Sequence, residues 1–271
     1  ALRKQLQEQC NKTEKERKRR KERNDMNKAS ANIRFYKNEN GPVIGVTVRP
    51  VIEKDGLYFR DLTGDGRLAP YKDWRNTPAV RAASLAAELS ADEKIGMLFV
   101  NSWKMGIYQE DRTKVDESGL LNEEIVEQDE SIFNVEKTYG TTYTLKEMGI
   151  RHFILRQNPG PGELADWINQ LNMVAEGTGH ALPVMVLSNS RNEHGEIVFG
   201  MNDAAGVFAA WPGTLGIAAA VRGSGPELID SFAECIRREW DAVGMKKGYM
   251  YMADVMTDPR WQRSYGTFGE D

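Results

Sequence analysis

Polar side chains follow two apolar runs in the second half of the chain, and such loops commonly carry the chemistry of α/β proteins. The segment SNSRN follows PVMVL at residues 188–192, and TDPRWQR follows YMADV at residues 257–263. In parallel α/β folds, whether barrel or open sheet, functional sites are built at the C-terminal ends of the strands. The sequence therefore predicts that these two loops contribute to one site.

A second candidate site is the polar loop that begins at Asp61, which is similar to the first half of an EF-hand calcium loop. Asp61, Thr63 and Asp65 place oxygen atoms at alternate positions, and a glycine follows where the loop must bend sharply, which suits a hard cation. The twelfth position is Lys72, where a calcium loop needs a bidentate carboxylate. Two interpretations stay open: a structural calcium held by Asp61, Thr63 and Asp65, or a plain Asp/Gly turn.

Several common catalytic motifs are missing from the sequence. It contains no P-loop, no G-x-G-x-x-G, no G-x-S-x-G elbow and no H-E-x-x-H. The three histidines do not share a metal-ligand spacing, although His194 follows the first polar loop and could face a ligand. We expect no organic cofactor.

Composition narrows the class of protein. The 271 residues are 40% hydrophobic and include 6 Trp, 9 Tyr and 9 Phe, enough to fold around a core. No apolar stretch approaches the roughly 18 residues of a membrane span. Two cysteines exclude a disulfide-dense scaffold.

The net charge of −4 conceals a basic N-terminal segment. Residues 1–28 carry 11 Lys or Arg against 5 acidic residues, so the remainder is strongly acidic. A basic arm can bind nucleic acid, but no aromatic residue interleaves this run to stack on bases. We favour a solvated helix and expect no nucleic-acid partner; salt-dependent DNA binding lost on deleting the arm would support the alternative. The chain begins with Ala, which suggests a removed leader or a trimmed sequence.

The pattern of elements predicts an α/β domain. Residues 43–60 are predicted to form a hairpin that turns at Asp55-Gly56, and a polar loop follows to residue 74. A helix is predicted over residues 79–89, and a second helix begins at the Ser90–Glu93 capping box. Two more helices are predicted to begin at Pro161 and at Pro226. FILR, PVMVLSN and GYMYMADV are predicted strands. Residues 104–144 are expected to be a polar insertion with a helix near 122–137.

Three regions are predicted along the chain. Residues 1–40 form a basic arm, residues 41–78 form the hairpin and Asp/Gly loop, and residues 79–271 form the first part of an α/β domain.

The last residues carry the most specific pattern. The run from Asp258 to Asp271, DPRWQRSYGTFGED, resembles the D-P-R-W-G-R-x-x-E-x-F-G-E-D signature of glycoside hydrolase family 3, the β-glucosidase/β-xylosidase family. Four other segments resemble the family in the same order: LSADEKIGMLF, PVMVLSNSRN, WPGTLGIAA and YMADVMTDPRW. The resemblance covers residues 60–271, and Gln262 and Gly266 depart from the signature.

The resemblance implies a fold and a mechanism. The family has a (β/α)8, or TIM-type, barrel, usually followed by an α/β sandwich. It implies hydrolysis of terminal β-D-glucosidic bonds by retaining double displacement, with an Asp nucleophile and a Glu acid/base about 5–5.5 Å apart. The resemblance implies that the substrate is a small sugar or oligosaccharide, such as cellobiose or another cello-oligosaccharide. It also implies a role in carbohydrate metabolism and polysaccharide degradation. We expect the periplasm or the exterior of the cell, because such enzymes are often exported.

The resemblance also assigns residues. Arg263 matches the family's arginine that binds sugar hydroxyls in the −1 subsite, and its planar donors suit vicinal hydroxyls. Asn189 stands where the family usually has an aspartate that binds the same sugar. Arg191 and Asn192 follow in that loop and are expected to support it.

No catalytic carboxylate of the family falls within residues 1–271, since its nucleophile and acid/base come later. We therefore expect the barrel to be incomplete and its remaining C-terminal part to be the partner of this chain. The alternatives are a non-catalytic carbohydrate-binding fragment, or a β-xylosidase or N-acetylglucosaminidase of the same family.

Overall fold

The structure is a computed structural model. It describes residues 33–103, 105–126, 138–155, 157, 159–188, 192–193, 208–249, 251–252 and 254–270. The predicted basic arm lies outside this range except for its last residues. No helix in these ranges is both long and apolar enough to cross a membrane.

Two short antiparallel hairpins open the described chain. Their strands are β1 (Arg34–Tyr36), β2 (Ile44–Val46), β3 (Val51–Lys54) and β4 (Leu57–Arg60). The turn predicted between β3 and β4 is confirmed: Asp55 and Gly56 both have positive φ, as a tight two-residue hairpin turn requires.

The hairpin predicted over residues 43–60 is confirmed only for residues 51–60. β2 pairs with β1 and β3 pairs with β4, and the chain breaks between them. The amides of Thr47 and Arg49 donate to the carboxylate of Glu176 at 2.8–3.0 Å, and Pro50 has no amide hydrogen to donate. A carboxylate 129 residues away therefore takes the hydrogen bonds that a strand partner would have made.

Two helices follow the Asp61 loop: α1 (Pro78–Glu88) and α2 (Ala91–Leu98). The capping box at α2 is confirmed, since Ser90 Oγ accepts from the Glu93 amide and Glu93 accepts from the Ser90 amide. The Glu93 carboxylate also bonds His180 Nδ1 at 2.9 Å. Burial raises the pKa of Glu93, but these hydrogen bonds outweigh it and lower that pKa to about 2. Glu93 thus ties the start of α2 to the chain near His180.

A four-stranded parallel sheet forms the centre of the fold. Its strands, in spatial order, are β5 (Val100–Trp103), β6 (His152–Leu155), β7 (Met185–Ser188) and β8 (Lys247–Gly248). The predicted buried strands β6 and β7 are confirmed, and β8 is shorter than GYMYMADV suggested. The α/β class with a parallel sheet is therefore confirmed, and in the described residues the sheet is open.

The described residues form four further helices: α3 (Thr141–Lys146), α4 (Pro161–Glu176), α5 (Thr214–Ser224) and α6 (Glu227–Val243). The predicted helices at Pro161 and Pro226 are confirmed, and Pro226 is the residue that caps α6. No helix was predicted at the position of α5. Its run LGIAAAV has high intrinsic helix propensity, and this local preference prevails over the flanking glycines.

One hydrophobic core lies where α4 and α6 meet the sheet. Trp167 and Leu171 of α4 and Phe153 of β6 are fully buried, and Trp240 of α6 is nearly so. Leu171 and Trp240 lie at the helical spacing predicted for α4 and α6, whereas Trp167 was not predicted as a core residue.

The segment predicted as a polar insertion also contributes to this core. Met105, Leu120 and Leu121 are buried in it, so residues 105–121 are part of the domain's packing. Residues 122–126 are not helical, and the rest of the helix predicted near 122–137 lies outside the described residues.

Candidate functional site

The two predicted loops begin at the same edge of the parallel sheet. Ser188 ends β7 and is fully buried, and its carbonyl accepts from the amide of Tyr249, which follows β8, at 2.8 Å. The C-terminal ends of β7 and β8 therefore lie side by side, as predicted. Of the first loop's predicted residues, Asn189 and Arg191 lie outside the described residues, as does His194.

Asn192 is the described part of the first loop, and it is a structural clamp. Its side chain is fully buried; Oδ1 accepts from Trp240 Nε1 at 3.1 Å, and Nδ2 donates to Glu239 Oε2 at 2.5 Å. The same Nδ2 donates to the carbonyl of Ala209 at 3.1 Å. Asn192 thus fixes the loop to α6, directly after the residues expected to contact sugar.

Glu239 of α6 binds both Asn192 and Ala209, a residue that precedes α5. Its Oε1 accepts from the Ala209 amide at 2.9 Å, while its Oε2 accepts from Asn192. The Trp211 amide donates to the Asn192 carbonyl at 2.7 Å. Both ends of the segment between residues 192 and 209 are therefore joined at one carboxylate of α6. No sequence pattern indicated these contacts, because Glu239 is 30 residues from Ala209 and 47 residues from Asn192.

The second loop returns to the same edge. Thr267 is fully buried and forms a parallel bridge with Met252, and its Oγ1 donates to the Ser264 carbonyl at 2.8 Å. Thr214 Oγ1, at the start of α5, donates to the Tyr265 carbonyl at 3.0 Å. The two residues that directly follow Arg263 are therefore held in place by the hydroxyls of two buried threonines.

The side chain of Arg263 takes no part in these hydrogen bonds. Its side chain is exposed and makes no hydrogen bond or ion pair with any residue that the structure describes. Its neighbour Arg260 differs, because Nη2 of Arg260 is paired with Asp258 Oδ2 at 2.6 Å within the same loop. A rigid backbone with a free guanidinium is an arrangement suited to binding a polar ligand.

Aromatic side chains connect α6 to the chain that follows Arg263. Trp211 contacts Phe232, which contacts Tyr251, which contacts Phe268, with ring centroids 5.2–5.7 Å apart. The Tyr251 hydroxyl is buried and has no hydrogen-bond partner among the described residues. Burial raises the pKa of Tyr251 well above its ordinary value, and the charge of Glu193 adds to this effect. Tyr251 is therefore a neutral packing residue.

Replacing Tyr251 by phenylalanine is expected to leave stability unchanged or to raise it by up to about 1 kcal/mol, because an unpaired buried hydroxyl contributes only a desolvation cost. Urea denaturation measures the change, and Tyr265→Phe, at an exposed tyrosine, is the matched control. A loss above about 1 kcal/mol would show that the hydroxyl has a partner.

The loop at Asp61 is separate from these two. Lys72 Nζ donates to Asp61 Oδ1 at 2.7 Å, Thr63 Oγ1 at 2.6 Å and Asp65 Oδ1 at 2.5 Å. The structure thus brings together the three residues predicted to bind calcium, and it places the ammonium group of Lys72 among their oxygen atoms. No group of three or more His, Cys, Asp or Glu suited to a metal occurs among the described residues.

The geometry defines an α/β domain in which the strands that precede the two polar loops end side by side at one edge of a parallel sheet. No protein-family model matches the chain. It is 33% identical over 223 residues to a periplasmic β-glucosidase/β-xylosidase of Dickeya chrysanthemi, a match that covers 82% of this chain and 30% of that protein. It is 29% identical over 192 residues to β-glucosidase C of Emericella nidulans, covering 70% of this chain and 26% of that protein.

These similarities confirm the resemblance that the motifs predicted. The chain is similar to a segment of β-glucosidases and β-xylosidases, the enzymes of glycoside hydrolase family 3. It spans about 30% of the length of the curated relatives it matches.

Proposed function

We propose that the protein containing this chain hydrolyses terminal β-D-glucosidic bonds with retention, and that this chain supplies one wall of its −1 sugar subsite. The observation that carries the proposal is Arg263: an exposed guanidinium that has no partner among the described residues, in a loop whose backbone is held by Thr214 and Thr267. The similarity to β-glucosidases supports the same assignment.

In this proposal Arg263 binds two neighbouring sugar hydroxyls. Its guanidinium offers several donors in one plane, which matches oxygen atoms on adjacent ring carbons. Asn189 and Arg191 contribute from the loop after β7, which Asn192 and Glu239 fix to α6. An asparagine accepts and donates, so Asn189 holds a hydroxyl with less charge than an aspartate would.

The nucleophile and the acid/base are proposed to lie in the remaining part of the protein. One carboxylate attacks the anomeric carbon while the other protonates the leaving oxygen; water then hydrolyses the glycosyl ester as that second group takes its proton. The role of this chain is to hold the sugar so that its anomeric carbon faces those groups.

The remaining part is also proposed to complete a (β/α)8 barrel. β5 pairs on one side with β6 and has no other strand partner among the described residues. Beside that edge, Leu98 is 83% exposed and Phe99 is 57% exposed, although both are large and apolar. A strand edge with no strand partner among the described residues, next to exposed apolar side chains, is the surface that further barrel strands and helices would cover.

Substrate and location follow from the relatives. The name of the Dickeya protein includes both β-glucosidase and β-xylosidase activity, so a β-xyloside is the second candidate substrate for this protein. That protein is periplasmic, and we propose the periplasm or the cell exterior here.

The test is an assay of the full-length protein on 4-nitrophenyl glycosides. We expect release of nitrophenol from the β-glucoside, weaker release from the β-xyloside, and none from the α-glucoside that serves as control. The isolated 271-residue chain is expected to be inactive, because the proposed carboxylates lie outside it. Binding of glucose without any turnover by the full-length protein would contradict the proposal and favour a carbohydrate-binding role.

A further inference from the structure

The loop of residues 61–72, which we call the Asp61 loop, folds around a cation that the chain itself provides. Lys72 Nζ lies 2.5–2.7 Å from Asp61 Oδ1, Thr63 Oγ1 and Asp65 Oδ1. An ammonium group has three hydrogens to donate, and these three oxygens accept all of them. We propose that Lys72 is the permanent cation of the Asp61 loop, in place of the calcium ion predicted from the sequence.

The backbone of the loop is shaped as a cation-binding loop would be. The two oxygens of Asp61 accept from the amides of Gly64 at 3.0 Å and Gly66 at 2.7 Å. Both glycines have positive φ, 77° and 71°, a conformation that other residues rarely adopt. Asp61 Oδ1 therefore accepts from both the Gly64 amide and Lys72 Nζ, while Oδ2 accepts from the Gly66 amide.

Burial makes the pairing with Lys72 obligatory. The side chain of Lys72 is fully buried and that of Asp61 is 2% exposed, so neither charge is solvated. A charge removed from water is tolerated only when an opposite charge and hydrogen bonds replace the lost solvation. Two carboxylates and a hydroxyl provide these for Lys72, with the Tyr71 ring 5.8 Å from Nζ.

The protonation states agree with this geometry. Burial opposes the charge on Asp61, but hydrogen bonds from Lys72 and from the two glycine amides outweigh it and lower the pKa of Asp61. Burial likewise opposes the charge on Lys72, but its bonds to Asp61 and Asp65 raise its pKa above the ordinary value. Both groups are therefore charged at neutral pH.

Lys72 also stands where a calcium loop has one of its calcium ligands. In a calcium loop the twelfth residue supplies two carboxylate oxygens, whereas Lys72 supplies a positive charge at that position. The ammonium group occupies the space between Asp61, Thr63 and Asp65, so a calcium ion could enter only if Lys72 left. The loop is thus a calcium-type loop whose metal has been replaced by an internal salt bridge.

Thermal unfolding of the full-length protein, with chelator and with millimolar calcium, tests the proposal. We expect the wild-type midpoint to be the same in both conditions. Lys72→Met should lower the midpoint, because it leaves two carboxylates facing each other without a cation. Lys94→Met, at an exposed lysine, is the matched control and should leave it unchanged.

Lys72→Glu restores the carboxylate that a calcium loop needs at this position. We expect this variant to be destabilised in chelator and stabilised progressively as calcium is added, with calcium binding at least about tenfold tighter than in the wild type. If this variant does not fold, terbium luminescence of the wild-type protein gives an independent measurement. A wild-type protein that loses stability in chelator, or that binds terbium at a site lost in Asp65→Ala, would overturn the proposal.

Discussion

Replacing Arg263 by alanine is expected to lower kcat/KM of the full-length protein on an aryl β-glucoside by about 100-fold. A hydrogen bond from a charged donor contributes about 1.5–3 kcal/mol, and losing two such bonds that strengthen in the transition state costs roughly 3 kcal/mol. The Arg263 backbone is fixed by Thr214 and Thr267, so removing the side chain should leave the loop in place. Steady-state kinetics measures the loss.

Arg260→Ala is the matched control, because Arg260 lies in the same loop but is exposed and paired with Asp258. It should change kcat/KM by less than about twofold, since an exposed ion pair contributes at most about 1 kcal/mol to stability and none to sugar binding. Equal effects of the two variants, or no effect of Arg263→Ala, would contradict the assignment of Arg263.

Replacing Arg151 by methionine is expected to destabilise the protein by about 3–5 kcal/mol. The Arg151 guanidinium is buried and donates to the carbonyls of Leu182 at 3.1 Å and Leu145 at 2.7 Å, and to Thr178 Oγ1 at 2.7 Å. Methionine fills the volume but leaves these buried acceptors without a donor, which costs about 1–3 kcal/mol for each group. Burial lowers the pKa of Arg151, but an arginine stays protonated even so.

Urea denaturation of the full-length protein measures this loss. Arg237→Met is the control: Arg237 pairs with Glu234 on the exposed face of α6, and the change should be below about 1 kcal/mol. If Arg151→Met does not fold, Arg151→Lys, which retains the charge but not the planar donors, should show a smaller loss. Equal stability of the Arg151→Met and Arg237→Met proteins would show that the buried hydrogen bonds contribute nothing.

The parts of the fold that sequence predicted are those whose signals are local. Strands β6 and β7 are short apolar runs bounded by glycine or proline, and α4 and α6 have apolar residues at helical spacing. The Asp55-Gly56 turn and the Ser90–Glu93 cap are encoded in a few adjacent residues. In each case the local preference and the global fold agree.

The parts that sequence missed depend on distant partners. The break between β2 and β3 exists because Glu176 binds the amides of Thr47 and Arg49. The clamp of Asn192 depends on Glu239, which in sequence is one more charged residue of an amphipathic helix. Tertiary contacts of this kind leave no periodic signal, so only the structure could reveal them.

The Asp61 loop is an intermediate case. Its spacing predicted a cation, and the departure at Lys72 was visible in the sequence. The sequence could not indicate that Lys72, the residue that departs from the calcium-loop pattern, itself provides the cation. Its partners Asp61 and Asp65 lie eleven and seven residues earlier in the chain.

The most direct test of the proposed sugar subsite is the crystal structure of the full-length protein trapped with a 2-deoxy-2-fluoro-β-glucoside. Such a sugar forms the glycosyl ester of a retaining enzyme but hydrolyses slowly, so it marks the −1 subsite. We predict a sugar bonded to an aspartate outside residues 1–271, with the Arg263 guanidinium about 3 Å from its hydroxyls. A trapped sugar that lies far from Arg263 and from the loop after β7 would contradict the account.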